Sequence, residues 1–171
     1  MAPNTMKCNK CKNIAYENGL CKSCFSRYIE RKIRKELRVN QLIRKNDTLI
    51  ITDPLCEHII KRILKDMPIK ILKRGKGKKV LPWTIDDECH HFMSLFLANK
   101  SLKDLGHGKD IKLFLSLREA EACAYAKAKG FKFSKRKKDT IMKVLDELEK
   151  KHTQTKYSLL RSINDIKDAL K

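Results

Sequence analysis

Two pairs of cysteines near the start of the sequence are the residues best suited to chemistry. The pairs read Cys8-x-x-Cys11 and Cys21-x-x-Cys24, and an Asn-Gly step between them favours a turn that brings the pairs together. Two such pairs can supply the four thiolates of a tetrahedral structural zinc site, although ordinary thiols or two disulfides are alternatives. Four protein ligands leave no open position for a substrate. The pattern therefore predicts a structural Zn²⁺, with iron as the other metal that suits four thiolates.

Other reactive side chains do not form a second site in the sequence, and we predict no catalytic residue. The acidic residues 86–88 open a predicted helix, where negative charge suits the helix dipole. Cys123 stands among alanines and is interpreted as a small core residue. Cys56 and Cys89 are each about one turn into a predicted helix, where a thiol pKa can be lowered. A residual thiol site formed by these two residues is the alternative.

The charge of the chain favours a polyanionic partner. The chain contains 40 Lys and Arg residues and 20 Asp and Glu residues, which gives a formal net charge of +20. Nucleic acids are the commonest polyanions, whereas a Lys-rich, merely solvated surface is the alternative interpretation. We find no apolar run of the roughly 20 residues that a membrane span needs, and no secretory signal. We therefore expect a cytoplasmic protein with no membrane partner.

The basic residues cluster in three places, which we predict to contact nucleic acid. The candidates are Arg27, Arg31, Lys32, Arg34, Lys35, Arg38, then Lys73, Arg74, Lys76, Lys78, Lys79, and finally Lys135, Arg136, Lys137, Lys138. Gly75 and Gly77 are predicted to make the second group mobile. Contacts of this kind give salt-dependent affinity with little sequence reading. Because few aromatic side chains are available for stacking, base-specific recognition is not expected.

Alternating strands and helices must position these groups. Predicted helices cover 23–45, 54–67, 85–100, 117–130, 135–151 and 155–170, and predicted strands cover 48–52, 69–72, 80–81 and 111–115. Asp53 and Thr84 are predicted N-caps and Gly130 a C-cap, while residues 100–110 around His107 are predicted to form a loop. This order indicates βαβ units and a parallel sheet. Ligands of such sheets bind beyond the carboxyl ends of the strands, here at 52–56, 82–88 and 115–119.

Four segments, in order, resemble the cytoplasmic tRNA 2-thiolation proteins, a branch of the PP-loop ATPases that place sulfur on the wobble uridine of tRNA. They are CNKC…CKSCFSRYIERKIRKEL, WTIDDE, IKLFLSLREAEACAYAKAKGF and LDELEKKHTQTKYSLLRSI. The resemblance implies an α/β fold: a small, reduced PP-loop (HUP-like) parallel sheet with flanking helices. We expect a zinc module over residues 1–25, a basic linking helix over 26–46 and the α/β domain over 47–171.

The chain departs from this family where active members bind ATP. The family's SGGKDS turn is matched here by a degenerate phosphate loop of Thr52, Asp53, Pro54, Leu55, Cys56 and Glu57. Both glycines and the lysine are missing, proline removes one amide donor, and two carboxylates would repel a polyphosphate. No ATP is therefore expected. Active members also carry a cysteine in the segment that matches residues 131–135, where this chain has none.

The resemblance therefore implies a non-catalytic second subunit of a wobble-uridine thiolation complex, in a short archaeal-type form. Such a subunit would bind tRNA and a catalytic PP-loop partner and would not itself be an enzyme. One alternative is a free-standing zinc-ribbon protein that binds RNA or DNA. Another is an active tRNA sulfurtransferase that uses Cys56 and Cys89.

Overall fold

The computed structural model describes residues 6–102, 110–134 and 138–170. The helices are α1 (Lys22–Val39), α2 (Pro54–Ile63), α3 (Ile85–Leu97), α4 (Glu119–Lys129), α5 (Thr140–Lys151) and α6 (Thr155–Ala169). The strands are β1 (Thr48–Ile50), β2 (Lys70–Leu72), β3 (Lys78–Thr84) and β4 (Ile111–Phe114). The predicted loop residue His107 and the basic residues Lys135, Arg136 and Lys137 lie outside the described ranges.

The four strands form one parallel sheet in the order β2-β1-β3-β4. Leu49 of β1 lies opposite Ile71 of β2 on one side and Lys78 of β3 on the other. On the far side of β3, Val80 lies opposite Ile111 of β4. The predicted parallel sheet with flanking helices is therefore confirmed, and the carboxyl ends of its strands share one edge.

The predicted helix caps are present. The Asp53 carboxylate accepts a hydrogen bond from the Cys56 backbone N–H at 2.8 Å, with Pro54 at the first helical position. Thr84 and Asp87 form a reciprocal capping box at the start of α3. Gly130 ends α4 at a φ of 77°, a left-handed conformation that glycine adopts without steric cost.

Helix α1 is shorter than predicted and β3 is longer. Helix α1 ends at Val39, because Gln41 adopts a φ of 47° and the Leu42 N–H returns to the Leu37 carbonyl. Strand β3 begins at Lys78 instead of Val80, since Lys78 pairs with β1. The second basic group therefore lies partly on a strand.

The N-terminal module and the sheet share one hydrophobic core. Cys8, Leu20 and Cys21 belong to the same buried cluster as the inner face of α1 and strands β1 and β4. Smaller clusters lie where α3 packs against α5 and α6. Within the described residues, no helix is long and apolar enough to cross a membrane.

Candidate metal centre and nucleic-acid interface

Local turns bring the two cysteine pairs together. In the first turn, the Cys8 N–H donates to the Asn13 carbonyl at 2.6 Å. The predicted Asn-Gly turn is present between the pairs, with a φ of 49° at Asn18 and 69° at Gly19. Cys21 is the N-cap residue of α1, and Cys24 lies in its first turn. One ligand pair is therefore carried by a loop and the other by a helix terminus.

The sulfur positions fit a single tetrahedral ion. All four Sγ atoms lie within 4.8 Å of one another, and Cys11 Sγ is 3.4 Å from Cys21 Sγ and 3.6 Å from Cys24 Sγ. A metal–sulfur distance of about 2.3 Å in a tetrahedron sets sulfur–sulfur distances of about 3.8 Å. A cluster of four irons would spread the thiolates over separate metal atoms. The site can therefore hold one ion, and zinc and iron both suit its four thiolates.

Backbone groups favour the ionised form of one ligand. Backbone hydrogen bonds, led by that of Cys21, lower the pKa of Cys8 to about 6, although burial acts in the opposite direction. The Lys10 N–H lies 3.4 Å from the Cys8 sulfur. Since a metal binds the thiolate, these amides prepare Cys8 for coordination.

Four arginines of α1 form a stripe on the face that points away from the core. We call Arg27, Arg31, Arg34 and Arg38 the arginine stripe. Their spacing of i, i+4, i+7 and i+11 places them on one side of the helix over about 17 Å. The opposite side carries the buried residues Phe25, Ile29, Ile33 and Leu37. All four arginines are exposed, and none has an ion pair with another described residue.

The remaining basic residues of α1 differ from the stripe in their contacts. Lys35 is exposed beside it. Lys32 is half-buried, with its ammonium 3.2 Å from a Glu121 carboxylate oxygen and 2.9 Å from the Tyr157 hydroxyl. We therefore leave Lys32 out of the surface that could meet a nucleic acid.

The second basic group is partly neutralised within the chain. Lys73, although exposed, pairs with Glu57, and Lys78 lies 2.7 Å from an Asp47 carboxylate oxygen. Arg74, Lys76 and Lys79 are exposed. Gly77 lies directly against strand β1. A Cβ atom there would lie 2.5 Å from the Thr48 carbonyl oxygen, so this glycine permits a close approach to β1.

Lys138 is the described member of the third basic group. Its ammonium lies 2.5 Å from a carboxylate oxygen of Asp146. This ion pair raises the pKa of Lys138. The lysine is exposed, but its charge is already paired with Asp146. Within the described residues, the arginine stripe is therefore a larger set of exposed cations without an ion pair than the second or third basic group provides.

Carboxylates of the chain occupy the β1–α2 turn. Asp53 caps the Cys56 amide, and Glu57 lies 2.7 Å from Lys61 and also pairs with Lys73. These two lysines lower the pKa of Glu57 to about 2, so that it is ionised at neutral pH. The N-terminus of α2 thus already carries negative charge of its own.

Cys56 and Cys89 do not meet. Both thiols are fully buried, but they belong to different hydrophobic clusters. Burial raises the pKa of both, that of Cys89 to about 12. The structure therefore gives no thiolate pair of the kind that the sequence left as an alternative.

Two acidic residues in the first turn of α3 form buried ion pairs, in addition to their favourable interaction with the helix dipole. Glu88 is fully buried and accepts hydrogen bonds from Lys112 and Lys167 at 2.5 Å each and from the Trp83 indole at 2.7 Å. Asp86 is also buried and pairs with Lys156. The lysine partners are distant in sequence, so local patterns gave no signal for them.

Comparisons with known proteins are informative at the level of structure. No protein-family model matches the sequence, and no curated protein is significantly similar to it. The structure of the U34-tRNA thiolase NcsA from Methanococcus maripaludis, described with its 4Fe–4S cluster, has 17% sequence identity and a TM-score of 0.67. The match covers 95% of this chain and 87% of that chain. At this level of identity, the likeness establishes the fold, as predicted.

The comparison also contradicts one prediction. The degenerate β1–α2 turn led us to expect that the chain is not an enzyme. That prediction is contradicted by the finding that a structure with the same fold over nearly the whole chain is that of a tRNA thiolase. The prediction relied on local departures from the active family, namely the degenerate turn and the absence of a cysteine at residues 131–135. These departures were too narrow a basis. The chain shares its overall fold with a U34-tRNA thiolase.

Proposed function

We propose that this chain is part of an enzyme that thiolates U34 of tRNA, and that tRNA binds along the arginine stripe. The fold shared with a U34-tRNA thiolase supports the reaction class. The stripe is the observation that carries the binding role, because four exposed arginines without a described ion pair lie on one helix face. The formal net charge of the chain, +20, has the sign that attracts a polyanion such as tRNA.

The geometry of the stripe suits a phosphate backbone. Guanidinium groups donate paired hydrogen bonds to phosphate oxygens, and side chains at i and i+4 are neighbours along a helix. The metal site fixes the first turn of α1 through Cys21 and Cys24, so a metal-bound module would hold the stripe in place. We propose zinc as this metal. Its role would be structural, since four protein ligands complete its shell.

We also propose a second PP-loop subunit as a partner, in the cytoplasm. The carboxylates of Asp53 and Glu57 lie at the β1–α2 turn, where active members of the family bind phosphate. A partner with a glycine-rich phosphate-binding turn would supply the function that this turn lacks. Affinity purification with mass spectrometry of protein and RNA tests this. Recovery of a PP-loop protein at fixed stoichiometry supports the partnership. Recovery of nucleic acid alone favours a free-standing zinc-ribbon RNA- or DNA-binding protein.

The double variant Arg31→Gln/Arg34→Gln is expected to bind tRNA more weakly. Each lost phosphate contact should reduce the slope of log K against log salt by about 0.7–0.9. Fluorescence anisotropy with labelled tRNA over a series of salt concentrations measures both the affinity and the slope.

The matched control is Lys143→Gln/Arg161→Gln, which removes the same charge from exposed positions on α5 and α6. It is expected to retain nearly all of the affinity. Equal losses in the two double variants would show that net charge, rather than the stripe, governs binding, and would contradict the assignment.

A further inference from the structure

A groove between the metal module and α4 is lined by three aromatic side chains. Tyr16, Phe131 and Phe133 contribute to its walls, with Cys123 and Lys127 of α4 beside them, and its volume is about 450 Å³. We propose that this groove binds an unpaired nucleobase of RNA. The proposal rests on the proposed function, because it presumes an RNA ligand and adds a site that the arginine stripe does not include.

The aromatic walls are held in place by the core. The Tyr16 hydroxyl donates to the Ala124 carbonyl at 2.9 Å. Phe131 packs on His58 with ring centroids 5.1 Å apart, and Phe133 packs on the buried Phe114 at 5.8 Å. Each of the three lining rings is nevertheless only partly buried. Fixed rings with accessible surface lose little entropy when a base stacks on them.

Cations border the groove, and one acid lies within its lining. The Lys22 ammonium lies 5.7 Å from the centre of the Tyr16 ring, and Lys127 and Lys132 are exposed. These lysines can meet the phosphates on either side of an inserted base. Glu17 also lines the groove. Its carboxylate would repel a phosphate inside the groove but can accept a hydrogen bond from a base N–H, which favours the base as the occupant.

The sequence did not suggest this site, because the residues come from two distant segments. Tyr16 belongs to the hairpin between the cysteine pairs, while Phe131 and Phe133 follow the C-cap of α4. The Phe131 N–H donates to the Ala126 carbonyl at 2.9 Å, and this hydrogen bond holds the segment after Gly130 against the last turn of α4. Packing of the metal module against α4 creates the groove.

The test compares two RNA probes by fluorescence anisotropy. One is a hairpin with a single-stranded loop, and the other is a blunt RNA duplex with the same number of phosphates. In Phe131→Leu and Phe133→Leu, we expect the hairpin affinity to fall about 5- to 150-fold, the range of base–aromatic stacking, with duplex affinity nearly unchanged. Phe96→Leu, an exposed ring on α3, is the matched control and should change neither affinity.

The outcomes separate the groove from the RNA-binding function. Unchanged hairpin binding in both variants, or equal losses for hairpin and duplex, would overturn the groove assignment and leave the arginine stripe standing. A wild-type chain that binds neither probe would remove the proposed function as well.

Photo-crosslinking of the wild-type chain provides a readout that needs no variant. A hairpin with 5-bromouridine in its loop is expected to crosslink to Tyr16, Phe131 or Phe133, as located by mass spectrometry of the peptides. Crosslinks confined to other segments would overturn the proposal.

Discussion

The variant Cys21→Ser is expected to lose the metal ion and to unfold the N-terminal module. Cys21 is both a predicted ligand and the N-cap residue of α1, and its side chain is buried in the shared core together with Cys8 and Leu20. Structural zinc contributes about 10–16 kcal/mol of apparent binding free energy in small zinc-dependent domains. The metal is therefore the largest single contribution to stability that we expect in this chain.

Metal analysis and urea denaturation measure this effect. We expect one metal ion per wild-type chain, a lower urea midpoint after treatment with a chelator, and loss of amide exchange protection in residues 6–24. Cys123→Ser is the matched control, since Cys123 lies outside the site on α4. A Cys21→Ser chain with wild-type stability and protection would show that the module does not depend on the metal.

The variant Glu88→Gln is expected to destabilise the chain by about 3–5 kcal/mol, the cost of removing one partner from a buried ion pair. Glu88 is fully buried, whereas the side chains of Lys112 and Lys167 are about one-fifth exposed. Loss of the carboxylate would leave two ammonium groups close together without their counter-charge. Denaturant unfolding followed by circular dichroism measures the change.

The pH dependence of stability should report the same interaction. Burial alone would raise the pKa of Glu88, but hydrogen bonds and charge from Lys112 and Lys167 hold it below its ordinary value. A depressed folded-state pKa stabilises the chain above the unfolded-state pKa of about 4.3, and the stabilisation is lost as the pH falls through the folded-state value. Glu88→Gln should remove this contribution.

The control for this prediction is Glu147→Gln, an exposed acid on α5. It is expected to change the free energy of unfolding by less than about 0.5 kcal/mol. Similar losses of unfolding free energy in the two variants would show that the buried ion pairs of Glu88 stabilise the chain no more than an exposed acid does.

Local sequence patterns predicted the features that depend on local chemistry. Asp53, Thr84 and Gly130 cap helices as expected, because capping involves atoms only a few residues apart. The alternation of strands and helices likewise predicted the parallel sheet. The cysteine spacing predicted a group of four sulfurs that could hold one ion.

Features that depend on distant partners could not be predicted in this way. Lys32 and Lys78 looked like members of exposed basic groups, yet they pair with Glu121 and Asp47. Helical spacing alone could have separated the arginine stripe from Lys32, since the stripe lies on one side of α1. The aromatic groove has no local signature, because it forms where the metal module packs on α4.

The error about enzymatic activity has a similar origin. The residues of the β1–α2 turn were read correctly as a turn with two carboxylates, Asp53 and Glu57, at its helix N-terminus. A conclusion about the whole chain does not follow from one turn and one missing cysteine. The fold shared with a thiolase over 95% of the chain concerns many more residues.

The most direct test of the proposed function is the 2-thiouridine content at position 34 of tRNA, measured by mass spectrometry in cells with and without this chain. We predict that deletion lowers the modification, that the wild-type chain restores it, and that Arg31→Gln/Arg34→Gln restores it less well than Lys143→Gln/Arg161→Gln. Unchanged 2-thiouridine after deletion would contradict the assignment to U34 thiolation.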